Sequence, residues 1–93
     1  MPAYFMTRIN VGDYDQWKPQ FDQDTPGARK DAKGYRLLRS VDNPGEVFVM
    51  VEFATLDAAK AGRDRLVASG VLDRFADRSG PYLVEESEAK AYS

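Results

Sequence analysis

From Ala3 to Val11 the side chains alternate, with Phe5, Thr7, Ile9 and Val11 on one side and Tyr4, Met6, Arg8 and Asn10 on the other. A period of two marks a strand whose faces meet different surroundings, because successive side chains of an extended chain point to opposite sides. The opening strand therefore commits the chain to a sheet with one apolar face, and such a face has to be covered. Gly12 breaks the alternation. Asp13, followed three residues later by Gln16, has the pattern of a capping box opening a helix that carries Tyr14, Trp17 and Phe21 at helical spacing. Pro19 lies beyond the first turn of that helix, so a kink or a late start is expected. Thr25-Pro26 has the form of a second helix start, which predicts a helix running to about Lys33 and stopped by Gly34.

Tyr35 to Ser40 and Val47 to Phe53 read as two further strands, joined through Asp42-Asn43-Pro44-Gly45 as a hairpin. Thr55 can cap a helix with Leu56, Ala59, Leu66 and Val67 along one face, and Gly70 is placed to end it. A short helical turn from Val71 to Ala76 is expected next. Ser79-Gly80-Pro81 punctuates again, and Tyr82 to Glu86 reads as a last strand before a polar tail. The order is β-α-β-β-α-β over residues 1–93, a single α+β domain. That order is the split βαβ arrangement of ferredoxin-like folds, an antiparallel sheet with helices on one face.

Composition narrows the chemistry. The chain has no cysteine and no histidine, which removes disulfides, thiolate metal sites and the commonest general base. Its 13 basic and 15 acidic residues are scattered, without the basic stripe that a phosphate backbone requires, so no nucleic acid partner is expected. No apolar run approaches the length of a membrane span, and the expectation is a soluble, cytoplasmic protein with no membrane partner. Asp13, Asp15, Asp22 and Asp24 lack the glycine and closing glutamate of a calcium loop, so no metal is expected. Lys60, Arg63, Asp64 and Arg65 read as the wet side of a helix.

The hairpin register decides which side chains share a face. Pairing Ser40 with Val47 puts Leu38, Val47, Val49, Val51 and Phe53 against the helices and Tyr35, Leu37, Arg39, Phe48, Met50 and Glu52 on the opposite face. With Tyr4, Met6, Arg8 and Asn10 of the first strand, that second face is too apolar for water and too polar for a plain core. Pairing with a second copy would bury it, and two such sheets would enclose a barrel-like interior suited to a small molecule.

At this point the chain resembles the dimeric α+β barrel superfamily, which includes antibiotic-biosynthesis monooxygenase-like domains, some polyketide cyclases and chlorite-dismutase-like proteins. The resemblance is carried by Val11-Gly12-Asp13-Tyr14-Asp15-Gln16-Trp17-Lys18, Leu37-Leu38-Arg39-Ser40, Asp42-Asn43-Pro44-Gly45-Glu46-Val47 and Val49-Met50-Val51-Glu52-Phe53, and it covers nearly the whole chain. It implies a homodimer joined through the open sheet face, with a pocket between sheet and helices or inside the joined barrel. The haem-using branches rely on a histidine that this chain lacks, so no cofactor is expected.

Arg8, Asn10, Tyr35, Arg39 and Glu52 are the polar groups that this register turns toward the barrel interior, with Tyr82 as a further candidate. As a site, Arg8 or Arg39 would hold an enolate or carboxylate with Tyr82 as another binding group. Asn10 and Tyr35 would donate to a developing oxyanion, and Glu52 would take a proton if burial raised its pKa. The plainer alternative pairs Glu52 with Arg8 or Arg39 and leaves Tyr35 packed at the dimer seam. Trp17, the only tryptophan, is expected to pack rather than stack on a substrate. Two functions remain open: a cofactor-independent monooxygenase or cyclase acting on an aromatic or polyketide-like molecule, and a non-catalytic ligand-binding or structural dimer.

Overall fold

Alternation becomes geometry in β1 (Ala3–Asn10), where Ala3, Phe5, Thr7 and Ile9 are buried and the residues between them are half-buried. A computed structural model describes residues 2–92 and places β1 at the centre of a four-stranded antiparallel sheet, with α1 (Tyr14–Gln23) following it. β2 (Gly34–Arg39), β3 (Glu46–Phe53), α2 (Leu56–Ser69), a short 3-10 helix (Val71–Arg74) and β4 (Arg78–Glu85) complete the chain. The strand order β2-β3-β1-β4 is the ferredoxin-like order that the βαββαβ succession implies. Among the described residues no helix is long and apolar enough to cross a membrane.

β1 and β3 share the core. Val47, Val49, Val51 and Phe53 alternate inward like Phe5 and Ile9, and the Phe5 and Phe53 rings lie 5.8 Å apart. Burying each of these side chains contributes about 1.5–3 kcal/mol, so this double stripe is the main source of cohesion. α2 approaches it closely because its buried positions are Ala59 and Gly62. A Cβ on Gly62 would lie 2.6 Å from the Ala28 carbonyl oxygen and 2.8 Å from the Phe53 ring, so glycine sets how near the helix comes. Leu56 and Val67, expected on the buried face, are 39% and 56% exposed instead; the contact face of α2 is its small-residue face.

Helix ends follow the capping residues. The Asp13 side chain accepts from the Asp15 and Gln16 amides at 3.0 and 3.3 Å, Thr55 accepts from Ala58 at 3.1 Å, and Gly70 closes α2 in a left-handed conformation at φ 74. α1 runs through Pro19 for ten residues without stopping. The expected second helix from Thr25 to Lys33 does not form. Asp24 turns left-handed at φ 46, its carboxylate accepts from the Ala28 and Arg29 amides, and Gly27 takes a positive φ, so turns occupy the segment. Gly34, read as a helix stop, is the first residue of β2, and β4 begins at Arg78, four residues ahead of Tyr82.

The hairpin register differs from the expected one by a single residue. Arg39 pairs with Val47, Leu38 with Phe48, Leu37 with Val49 and Tyr35 with Val51. The Ser40 amide donates to the Glu46 carbonyl at 3.0 Å, Glu46 donates back to Asn43 at 2.8 Å, and the Ser40 hydroxyl accepts from the Asn43 amide, so the turn closes one residue earlier. A one-residue slip exchanges every side chain of a strand between faces. Tyr35, Leu37 and Arg39 therefore face the helices, and Leu38 joins Phe48 and Met50 on the open face.

Candidate functional site

The sheet and its helices do not close completely on each other. Between them lies a cavity of about 290 Å³, walled on the strand side by Phe5, Thr7, Ile9, Val49 and Val51 and on the helix side chiefly by Trp17, Phe21, Leu66, Leu72 and Phe75. Ligand sites commonly occupy about 300–1,000 Å³, so this one stands at the small end. Trp17 packs between Tyr14 and Phe21, at 5.8 and 5.0 Å between ring centroids, and thus serves the core as expected while forming one wall of the cavity.

One strand residue on that wall is polar. Thr7 is 4% exposed, and its hydroxyl oxygen has no hydrogen-bond partner among the described residues. Leaving a buried hydroxyl unpaired costs about 1–3 kcal/mol. The charged groups nearby are held differently. The Arg29 guanidinium lies 3.6 Å from the Phe21 ring centroid, donates to the Phe21 carbonyl oxygen and stands 3.5 Å from an Asp24 carboxylate oxygen. Arg74 donates to the Gln20 side-chain oxygen at 3.1 Å, linking the 3-10 helix to α1. Trp17, Gln20, Arg74 and Phe75 also border a neighbouring cavity of about 240 Å³, so this link stands between two spaces.

The polar residues singled out from sequence are not in this cavity, and the structure separates them. Arg8, Asn10 and Glu52 lie on the open face, as expected, and Tyr82 pairs with Met6 on that same face. Tyr35 and Arg39 do not: the hairpin register turns them to the helix side. There the Tyr35 ring meets Phe21 edge-on at 5.1 Å, while the Arg39 guanidinium sits 4.1 Å above the Tyr14 ring and donates to the Pro44 carbonyl.

Arg8 pairs with Glu46 at 2.9 Å and Asp77 at 2.6 Å rather than with Glu52. The hydrogen bond from Arg8 holds the Asp77 carboxyl below its ordinary value, aided by the Arg8 charge, and the same bond raises the guanidinium's own pKa. Asn10 accepts from the Gly12 amide at 3.1 Å, which uses its side-chain oxygen to close the strand end. Glu52 stands opposite Tyr4 in the ladder, and the Tyr4 phenol is pushed up by desolvation first and then by the negative charges of Glu86 and Glu52. The open face thus carries Tyr4, Met6, Leu38, Phe48, Met50 and Tyr82 among charged side chains, with the Arg8 network at one end and Glu52 and Arg36, the latter brought opposite Met50 by the hairpin register, toward the other.

The acidic residues near α1 have local duties. Asp13 caps the helix, Asp22 pairs with Lys18 at 2.6 Å and raises its pKa, and Asp24 holds the turn and Arg29. Arg65, expected on a wet face, reaches inward to the Gly27 carbonyl at 2.9 Å. The cavity residues missed from sequence are Thr7, Gln20, Phe21, Arg29, Arg74 and Phe75 as a group. A signal existed for one of them: Thr7 is the polar member of the apolar side of the first strand, among Phe5, Ile9 and Val11.

No family model and no curated protein matches the sequence. Solved structures do match. SnoaB, a cofactor-independent oxygenase from Streptomyces nogalater, is similar over 95% of each chain with a TM-score of 0.69 at 17% identity. A candidate antibiotic biosynthesis monooxygenase from Bordetella bronchiseptica is similar over 96% of this chain and 98% of its own, with a TM-score of 0.66 at 18% identity. Rv0793 from Mycobacterium tuberculosis is similar over 95% of this chain and all of its own, with a TM-score of 0.57 at 15% identity. Strand order, helix placement and these end-to-end matches show that the chain has the ferredoxin-like α+β fold of these structures.

Proposed function

We propose that the chain is a small cytoplasmic, homodimeric enzyme of the cofactor-independent oxygenase kind, holding a flat aromatic substrate between its sheet and its helices. The observation that carries this reading is the aromatic-lined cavity of about 290 Å³, formed in a fold shared with a cofactor-independent oxygenase. The reaction proposed is the oxidation by O₂ of an activated methylene of an aromatic substrate to a ketone. Both C–H bonds break, one atom of O₂ becomes the carbonyl oxygen, and the other leaves as water with the two hydrogens. The electrons come from the substrate carbanion. The protein's share is to orient the ring system and exclude bulk water.

The open face supports the dimer. Its large apolar side chains Tyr4, Met6, Leu38, Phe48, Met50 and Tyr82, interspersed with Arg8, Arg36 and Glu52, make a mixed surface that a second copy would cover. In such a dimer Arg8 and Tyr82 would border the enclosed interior as binding groups, with Asn10 and Glu52 as its donor and acid-base pair.

A second reading, a ligand-binding module without catalysis, is favoured by the carboxylate at the cavity wall. Asp24 is already engaged by Arg29 and two backbone amides, so no free base faces the substrate among the described residues. Oxygen uptake with anthrone separates the two. The oxygenase reading expects uptake faster than the protein-free rate, with one O₂ consumed for each ketone formed; uptake at the protein-free rate, with anthrone bound, selects the binding module.

A further inference from the structure

The strand wall of the cavity is apolar except at Thr7, and that exception is costly. Phe5, Ile9, Val49 and Val51 present only carbon, whereas Thr7 brings a hydroxyl that is buried and unpaired. A threonine hydroxyl can donate one hydrogen bond and accept two, and a buried hydroxyl that satisfies none of them destabilises the empty protein. Valine has the same shape without that penalty. The hydroxyl oxygen has next to no accessible surface as it stands, so it meets a ligand by rotation about the Cα–Cβ bond, which exchanges the hydroxyl and methyl positions between staggered wells.

The charges on the helix side are held unequally. Arg29 and Asp24 compensate each other at the wall, whereas Arg74 is held by the neutral Gln20 side chain and keeps its charge among exposed residues. The strand wall carries no charge, so a polar group of a ligand lying against it meets only the uncharged hydroxyl of Thr7. The space corresponds to about ten water molecules at their liquid volume, which is the room that two or three fused six-membered rings require.

We infer that Thr7 is the side chain that discriminates among flat, fused-ring ligands of the cavity, by reading a hydroxyl or ketone group on the ring system. The inference rests on the cavity being the functional site. It places recognition at an uncharged hydroxyl of the strand wall rather than at an arginine of the open face. The polar group of the ligand would give Thr7 the partner it lacks, so binding and discrimination come from the same contact.

Isothermal titration calorimetry with 2-naphthol and naphthalene tests it on the intact chain. The expected result is 2-naphthol binding about tenfold more tightly than naphthalene, in keeping with one buried hydrogen bond. Thr7→Val is expected to remove the naphthol advantage while leaving naphthalene unchanged and raising the melting temperature of the empty protein; Thr7→Ser keeps the advantage. Equal binding of naphthol and naphthalene, or an unaltered preference in Thr7→Val, overturns the role of Thr7 while leaving the cavity as a binding site. Failure of both probes to bind overturns both this inference and the functional reading beneath it.

Discussion

The two faces of the sheet are built from the same strands to opposite ends. On the helix side, Ala3, Phe5, Val47, Val51 and Phe53 are at most 2% exposed, and a cavity remains where Thr7 interrupts the apolar stripe. On the open side, aromatic and methionine side chains are half-buried, with Leu38 and Tyr82 exposed, and an ionic network of Arg8, Glu46 and Asp77 occupies one end. One face holds the monomer together and leaves room for a small molecule. The other is chemically suited to a second copy. The lesson is that polar residues on a sheet need not mark its site: Arg8 and Asn10 are satisfied by their neighbours, whereas the unsatisfied hydroxyl lies on the apolar face.

The contrast can be broken most forcefully by truncating one aromatic on each face. Phe53→Ala is expected to cost about 3–5 kcal/mol in denaturant unfolding, because it opens a hole in a closed core. Phe48→Ala is expected to cost the folded chain much less and to weaken self-association in sedimentation velocity. Equal losses of stability would mean that the faces are not functionally different. Gly62→Ala comes next, at about 1–3 kcal/mol, since its Cβ meets the Ala28 backbone and the Phe53 ring with little room to relax.

Met50→Lys is expected to shift the proposed dimer toward monomer while leaving 2-naphthol affinity within about threefold, well under the 1.4 kcal/mol of a tenfold change. A parallel loss of binding and dimerisation would place the ligand between subunits instead. The smallest expected effect is on pH dependence. The Asp77 carboxyl is held below its ordinary 3.8 by Arg8, so its stabilising contribution is present above that value and fades as pH falls through the lowered one. Asp77→Asn should flatten this acid limb slightly in thermal melts; an unchanged acid limb would show that the pair contributes nothing measurable.

Much of this architecture was legible in the residues. The alternation of β1 and β3, the caps at Asp13 and Thr55 and the stop at Gly70 are local signals, and local geometry follows them. The hairpin register was not, because Ser40-Val41-Asp42-Asn43-Pro44-Gly45 can close at more than one length and a single residue decides where Tyr35 and Arg39 point. The segment from Thr25 to Lys33 misled for a related reason: a helix-start dipeptide was outweighed by Asp24, whose carboxylate satisfies the Ala28 and Arg29 amides in a turn. The cavity was the least legible element. Its walls come from β1, α1, β3, α2 and the 3-10 helix, so no sequence window contains it, and Thr7 alone carried a trace of it.

The most direct test of where function resides is a nuclear magnetic resonance titration with 2-naphthol, following the Trp17 indole N–H, which reports the cavity, and the Met6 and Met50 methyl groups, which report the open face. The account predicts saturable ring-current shifts at Trp17 with the two methionine methyls nearly unmoved. Shifts concentrated at Met6 and Met50 with Trp17 unmoved would contradict it and place the site in the interior between two sheets.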